Sequence, residues 1–208
     1  MSVSYSRVSE NASRAPGRPR EFDLDQVLDK AVQIFRQRGY NGTSIADLAG
    51  AMGLVTGSIY KAFGDKRGLF LAAFDHYSTE RDARLRQILS SKRPGRERLR
   101  DYLSLYVDVS YGADGERGCL VVASAVELAT HDQETAKRIK SFLRRTETQL
   151  LQLIEEGQKD GSILTSVDPK ATARLMLCIF QGFKVVGKVG VAKAETLKAA
   201  DLAMRLLS

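Results

Sequence analysis

The chain has 208 residues, of which 43% are hydrophobic and 27% charged, and its formal net charge is +7. That composition excludes a wholly disordered chain, and no apolar run nears the ~18 residues of a membrane span. The length fits one large domain or two small ones with a real core. The basic balance favours a polyanionic partner. It does not locate the face, because residues 1–64 carry only +2 of the total. No apolar segment of the kind that opens a secretory signal occurs near the N-terminus, so a cytoplasmic protein with reduced thiols is expected. Cys119, Cys178, His76 and His131 are too scattered for a metal site, and no cofactor is expected.

Residues 1–20 are rich in Ser, Arg, Pro and Gly and read as a flexible basic arm. A helix is predicted from Asp23, where Asp23 and Gln26 fit a capping box, through Leu24, Val27, Leu28, Ala31, Ile34 and Phe35 to a stop at Gly39. Thr43 or Ser44 caps a short second helix. Gly53 marks a turn, and Thr56 caps a third helix that ends at Gly64. Three short helices with tight turns fit a helix-turn-helix unit. Longer helices follow over 65–91 and 95–110. A glycine-rich loop over 112–118 precedes a helix over 119–129 that is apolar nearly all round and is placed in the core. Helices over 132–158, from Asp168-Pro169, and over 193–207 complete the chain. The fold class is all-α, with about nine helices.

The third helix presents Thr56, Gly57, Ser58, Tyr60 and Lys61 opposite its buried Ile59 and Phe63. Short donors, a gap, a phenol and a cation suit a major groove. Helix N-termini also bind phosphates, which brings in Thr43, Ser44 and Thr56. Tyr60 has a second reading as a packing aromatic, and Lys61 as a solvated lysine. No phosphate loop, HExxH or nucleophile–base pair supports an enzyme.

Gly39-Tyr40, Thr43-Ser44, Ile45-Ala46, Gly53, Gly57-Ser58-Ile59-Tyr60, Phe63-Gly64-Asp65-Lys66 and Leu69-Phe70 together resemble the N-terminal domain of TetR/AcrR-family transcriptional regulators. The resemblance implies a helix-turn-helix domain (here 21–66), a ligand-binding and dimerisation domain (67–208), a homodimer and a roughly palindromic double-stranded DNA operator. It places Thr43, Ser44, Thr56, Gly57, Ser58, Tyr60, Lys61 and Lys66 at positions that touch DNA, with Tyr60 and Lys66 on phosphates. It implies an effector pocket, for which Phe74, Tyr77, Tyr102, Tyr106, Val122, Val126, Phe142 and Phe180 are candidate walls. A plain core role competes for most of them. It also implies a dimer bundle from the last two helices, assigned to Ala171, Leu175, Cys178, Ile179, Gly182, Leu197, Ala200 and Met204.

Pro16-Gly17-Arg18-Pro19-Arg20 is similar to the core of AT-hook peptides, so Arg18 and Arg20 could follow a minor groove. Arg117-Gly118-Cys119-Leu120-Val121-Val122 resembles a segment of one group of these regulators, some of which sense oxidants or electrophiles through this cysteine. A helix N-terminus and Arg117 would favour the thiolate; a small buried core residue is the competing reading. The expected function is a DNA-binding regulator, a repressor released by a small-molecule effector. The alternatives are a thiol-based sensor through Cys119 and a nonspecific architectural DNA binder.

Overall fold

The computed structural model describes residues 23–207. Ten α-helices and no strand occur among them. These are α1 (Leu24–Arg38), α2 (Ile45–Met52), α3 (Thr56–Phe63), α4 (Lys66–Ser90), α5 (Gly95–Asp108), α6 (Gly112–Arg117), α7 (Leu120–Glu127), α8 (Gln133–Lys159), α9 (Pro169–Lys188) and α10 (Lys193–Arg205). No helix of the described residues is long and apolar enough to cross a membrane.

Capping explains most of the boundaries. Asp23 Oδ1 accepts from the Asp25 and Gln26 amides, and Gln26 Nε2 returns a bond to Asp23 Oδ2. Ser44 and Asp47 form a reciprocal capping box at α2, so Ser44, not Thr43, is the cap. Gly53 ends α2 in the left-handed region at φ 69°, which sets the tight α2–α3 turn. α3 departs from expectation. Its N-cap is Val55, with no side-chain cap, and Thr56 is its first helical residue.

The tenth helix, α6, occupies the segment expected to be a loop. Glycine is a poor helix former, but here Gly115 serves a close approach. A methyl on it would stand 2.1 Å from the Ser110 carbonyl oxygen.

Two hydrophobic clusters form the interior. The first joins α1, α2 and α3 to the first half of α4, to α7 and to the start of α8. Phe70 is its hub, edge-on to Phe35 at 5.1 Å and to Tyr40 at 5.1 Å between ring centroids. The second joins Leu85 near the end of α4 to α5, α9, α10 and the far end of α8. Its centre is the triplet Tyr102, Tyr106 and Phe180, with Tyr106 stacked on Phe180 at 4.0 Å. α4 is roughly 37 Å long at 1.5 Å per residue and contributes to both clusters.

α7 is not buried all round. Leu120, Val121 and Ser124 face inward, while Val126 is 82% exposed. Two turns packed from one side leave the other side to solvent whatever its composition.

Lys184 of α9 is buried and donates to the Val109 carbonyl oxygen at 2.8 Å. Burial, reinforced by the charge of Arg81, pushes its pKa down to about 7. The unfolded lysine titrates near 10.4, so between about pH 7 and 10.4 the unfolded chain binds the extra proton and stability rises with pH. Below pH 7 the penalty of the buried charge is present in full. Lys184→Met is therefore expected to flatten this slope, and its stability relative to wild type to be on the order of a few kcal/mol more favourable at pH 6.5 than at pH 9.5. Urea unfolding at the two pH values checks it; a gap that does not move with pH refutes it.

Candidate nucleic-acid interface

α2 packs α3 against the core through Leu48, Ala49 and Met52, and Ile59 is the buried anchor of α3. That fixes which side of α3 looks outward. Thr56, Gly57, Tyr60 and Lys61 are exposed, and Ser58 is half-buried. Tyr60 is 51% exposed, so it is not the packing aromatic of its second reading.

The N-terminus of α3 suits an anion. Val55 offers no side-chain acceptor to the first amides, and no acidic residue lies in the first turn. A methyl on Gly57 would meet nothing within 4 Å. The fold itself therefore has room for a side chain there, and the missing Cβ leaves the backbone open to an approaching partner. At the start of α2, Ser44 Oγ donates to Asp47 Oδ2 at 2.6 Å, and Arg38 balances that carboxylate at 2.8 Å. The Ser44 hydroxyl, then its amide, holds the Asp47 carboxyl below its usual range.

Two expected contacts are corrected. Thr43 is buried, and its hydroxyl donates to the Gly39 carbonyl oxygen at 2.6 Å, closing the α1–α2 turn. Lys66 turns inward. Its ammonium donates to the carbonyl oxygens of Tyr40 (3.1 Å) and Thr43 (3.0 Å) and lies 4.1 Å from the Tyr40 ring centroid. Turn carbonyls without helical partners take the donors that a phosphate was expected to receive. Arg18 and Arg20 lie outside the described residues.

Sequence reasoning missed the residues that join this unit to the rest of the chain. Glu127, at the end of α7, accepts from the Tyr40 amide at 2.7 Å. Arg67 forms a bidentate pair with Asp132, the N-cap of α8, with Nη2 to Oδ1 at 2.9 Å. The Arg67 hydrogen bonds, then the Thr135 amide, hold the Asp132 carboxyl far below the usual range. Arg36 of α1 donates to the carbonyl oxygens of Gly118 and Asp114, at 2.7 Å each. His76 of α4 meets Asp29 of α1 at 2.8 Å. These partners are distant in sequence and carry no periodic signal.

The candidate pocket walls separate. Phe74 and Phe142 belong to the first core cluster, and Tyr102, Tyr106 and Phe180 to the second, where the three rings fill the space against one another. Val122 is half-buried and Val126 faces outward. Tyr77 does line a cavity, the cleft between α1, α4 and α6. Cys119 is the half-exposed N-cap of α7, with Sγ 3.8 Å from Tyr77 Oη. A methyl on Gly118, the residue before it, would stand 2.8 Å from Lys188 Nζ.

On the far side, α9 and α10 present an open apolar trough lined by Leu175, Ile179, Gly182, Val186, Leu202 and Leu206, among others. Ala171, Cys178 and Leu197 are also exposed, whereas Ala200 and Met204 are buried in this chain's own core. The outward stripe of α10 is Ala199, Leu202 and Leu206 instead.

Residues 27–73 match the profile "Bacterial regulatory proteins, tetR family", and residues 95–199 match "Tetracyclin repressor-like, C-terminal domain". The chain is 30% identical over 194 residues to the HTH-type transcriptional repressor ComR of Escherichia coli, covering 93% of this chain and 92% of that one. It is 30% identical to the uncharacterized regulator YezE of Bacillus subtilis, over 77% of this chain and 83% of that one. Among solved structures, a cysteine mutant of the TetR-family regulator CifR, complexed with a 26-base-pair operator duplex, superposes with a TM-score of 0.83 at 29% identity. That match covers 92% of this chain and all of the other. With its helix-turn-helix and its regulatory helices both matched, the chain belongs to the TetR family and is a DNA-binding transcriptional regulator.

Proposed function

We propose that the protein is a repressor that binds a two-fold DNA operator as a homodimer and leaves it when a small-molecule effector binds. The observation that carries this reading is the outer side of α3. An uncapped N-terminus, an open Gly57 and the exposed Thr56, Tyr60 and Lys61 lie together on one surface. Ser44 and Ser58 flank it, and Arg18 and Arg20 would extend it into the minor groove. ComR is named as a repressor and a CifR mutant was solved in complex with operator DNA, which supports the same role here. Dimerisation through the α9–α10 trough would set two recognition helices about 34–36 Å apart, one turn of duplex. An effector acts by its different affinity for the two arrangements. Glu127 and Arg36 give it a route, because each ties the regulatory helices to the DNA-binding unit.

Gly57→Ala separates folding from binding. The methyl meets open space in the free protein and improves helix propensity, so stability is expected to rise by up to about 1 kcal/mol. Affinity for the duplex upstream of the protein's own gene is expected to fall at least about tenfold, since a Cβ now stands between backbone and DNA. Fluorescence anisotropy against a scrambled duplex, with a melting curve, measures both. Equal affinity of the variant and wild type would sink this use of α3.

A second reading has its own observation. Cys119 is half-exposed at a helix N-terminus, with the Lys188 amine packed on the preceding residue. That setting favours a responsive thiol. Operator binding that falls in peroxide and returns with dithiothreitol would support it; indifference to peroxide would leave a noncovalent effector.

A further inference from the structure

Between α1, α4 and α6 lies a cleft of about 280 Å³ whose charge is out of balance. Four guanidinium groups line it: Arg36, Arg81, Arg84 and Arg117. Three of them share one carboxylate. Asp114 receives Arg36 at 3.0 Å, Arg84 at 3.4 Å and Arg117 at 4.0 Å. Arg81 has no carboxylate within ion-pair distance among the described residues. It rests on rings, 4.9 Å from the Tyr106 centroid and 5.9 Å from that of Tyr77. The other two acids of the cleft are Asp29, held by His76, and Glu80.

A partly buried guanidinium without a counter-ion is costly, and one carboxylate cannot satisfy three forks with good geometry. Arg84 is long and Arg117 at the edge of contact, so neither pair is tight. Planar forks match carboxylate and phosphate groups two bonds at a time. The Tyr77 ring and Val32 supply apolar wall beside them. The volume admits a small molecule only.

We propose that this cleft is a binding site for a small oxyanion, a carboxylate or phosphate group that bridges Arg81, Arg84 and Arg117. Its position matters. α1 belongs to the DNA-binding unit, α6 to the regulatory helices, and Arg36 joins them here through the Asp114 carboxylate and the Asp114 and Gly118 carbonyl oxygens. An anion that draws Arg84 and Arg117 away from Asp114 changes the electrostatics of that joint. The consequence for DNA rests on the repressor reading above; the binding itself does not.

The test is isothermal titration of the full chain with inorganic phosphate and, separately, with benzoate, at ionic strength held constant with chloride. Wild type should bind at least one probe saturably, at millimolar or lower concentration. The Arg84→Gln/Arg117→Gln pair should weaken that binding at least about tenfold, and Arg81→Met should abolish it. The first variant changes outward-reaching side chains and should melt near wild type; it keeps the test sound if Arg81→Met fails to fold. Tighter phosphate indicates a phosphoryl ligand, and tighter benzoate a carboxylate on an apolar body; either supports the site. No saturable binding of either probe, or binding unchanged in the double variant, overturns it. Operator anisotropy on the same samples separates the two readings. Intact operator binding without anion binding removes only this site. Anion binding without operator preference removes the repressor.

Discussion

Leu202→Glu is expected to produce a folded monomer of 22.9 kDa whose affinity for a two-fold operator is at least about a hundredfold below that of wild type. Leu202 is 60% exposed, so a charge there costs the isolated chain little. It stands in the α9–α10 trough, beside Leu175, Ile179 and Leu206. A contiguous apolar surface of that kind, left open by the chain's own core, has the character of a protein–protein interface. If a second copy covers it, each glutamate is driven into an apolar contact and the dimer separates. Each half-site must then be held alone, and the effective concentration that joined them is lost. Leu24→Glu, equally placed in solvent but on α1, is the control and should remain dimeric. Light scattering reads the mass and anisotropy the affinity. A dimeric Leu202→Glu would move the interface elsewhere.

The register of α10 illustrates what periodicity withholds. Leu197, Ala200 and Met204 form one apolar stripe, and Ala199, Leu202 and Leu206 form another two residues over. Both satisfy helical spacing. Only the positions of α5 and α9 decide that Ala200 and Met204 face inward. The same limit applies to α7, where Val126 is as apolar as Val121 and points the other way. Local chemistry was more legible. Asp23, Ser44 and Gly53 declare their caps because the partner is two to four residues away. Thr56 misled for a physical reason: a good capping side chain one residue past the boundary becomes the first residue of the helix. The exposed face of α3 was readable once Ile59 was placed in the core. Lys66 and Thr43 were not, since their partners are turn carbonyls that take shape only when α1 and α2 dock.

Arg36 is the least legible and the most consequential of these. It lies on the buried side of an amphipathic helix, where a sequence reading expects an aliphatic residue. Its guanidinium makes three bonds to a segment about 80 residues away: Gly118 O, Asp114 O and Asp114 Oδ1. Arg36→Met preserves much of the stem's packing and removes all three donors. Two carbonyls and a partly buried carboxylate are then left with fewer partners, and losing three hydrogen bonds from a charged donor costs about 3–5 kcal/mol. For a chain of this size that lowers Tm by roughly 6–20 °C, compared at equal protein concentration because self-association would make Tm depend on it. Acid should erase part of the difference. Burial pushes the Asp114 carboxyl up, but the Arg36 hydrogen bond and charge, then Arg84, outweigh it and leave it below its usual range. A depressed carboxylate stabilises the fold above its unfolded value of about 3.9, and that share is lost as pH falls through the folded value. The wild-type advantage over Arg36→Met should therefore narrow below about pH 4. A double-mutant cycle with Asp114→Asn apportions the rest. Strong coupling assigns the loss to the ion pair, whereas near-additivity assigns it to the bonds on the backbone carbonyl oxygens of Asp114 and of Gly118, the residue that leads into Cys119 and α7. In the second case the same arginine that supports the fold also positions the helix whose far end, Glu127, holds the turn before α2. A loss below about 1 kcal/mol would show that α1 and α6 are joined by apolar packing instead.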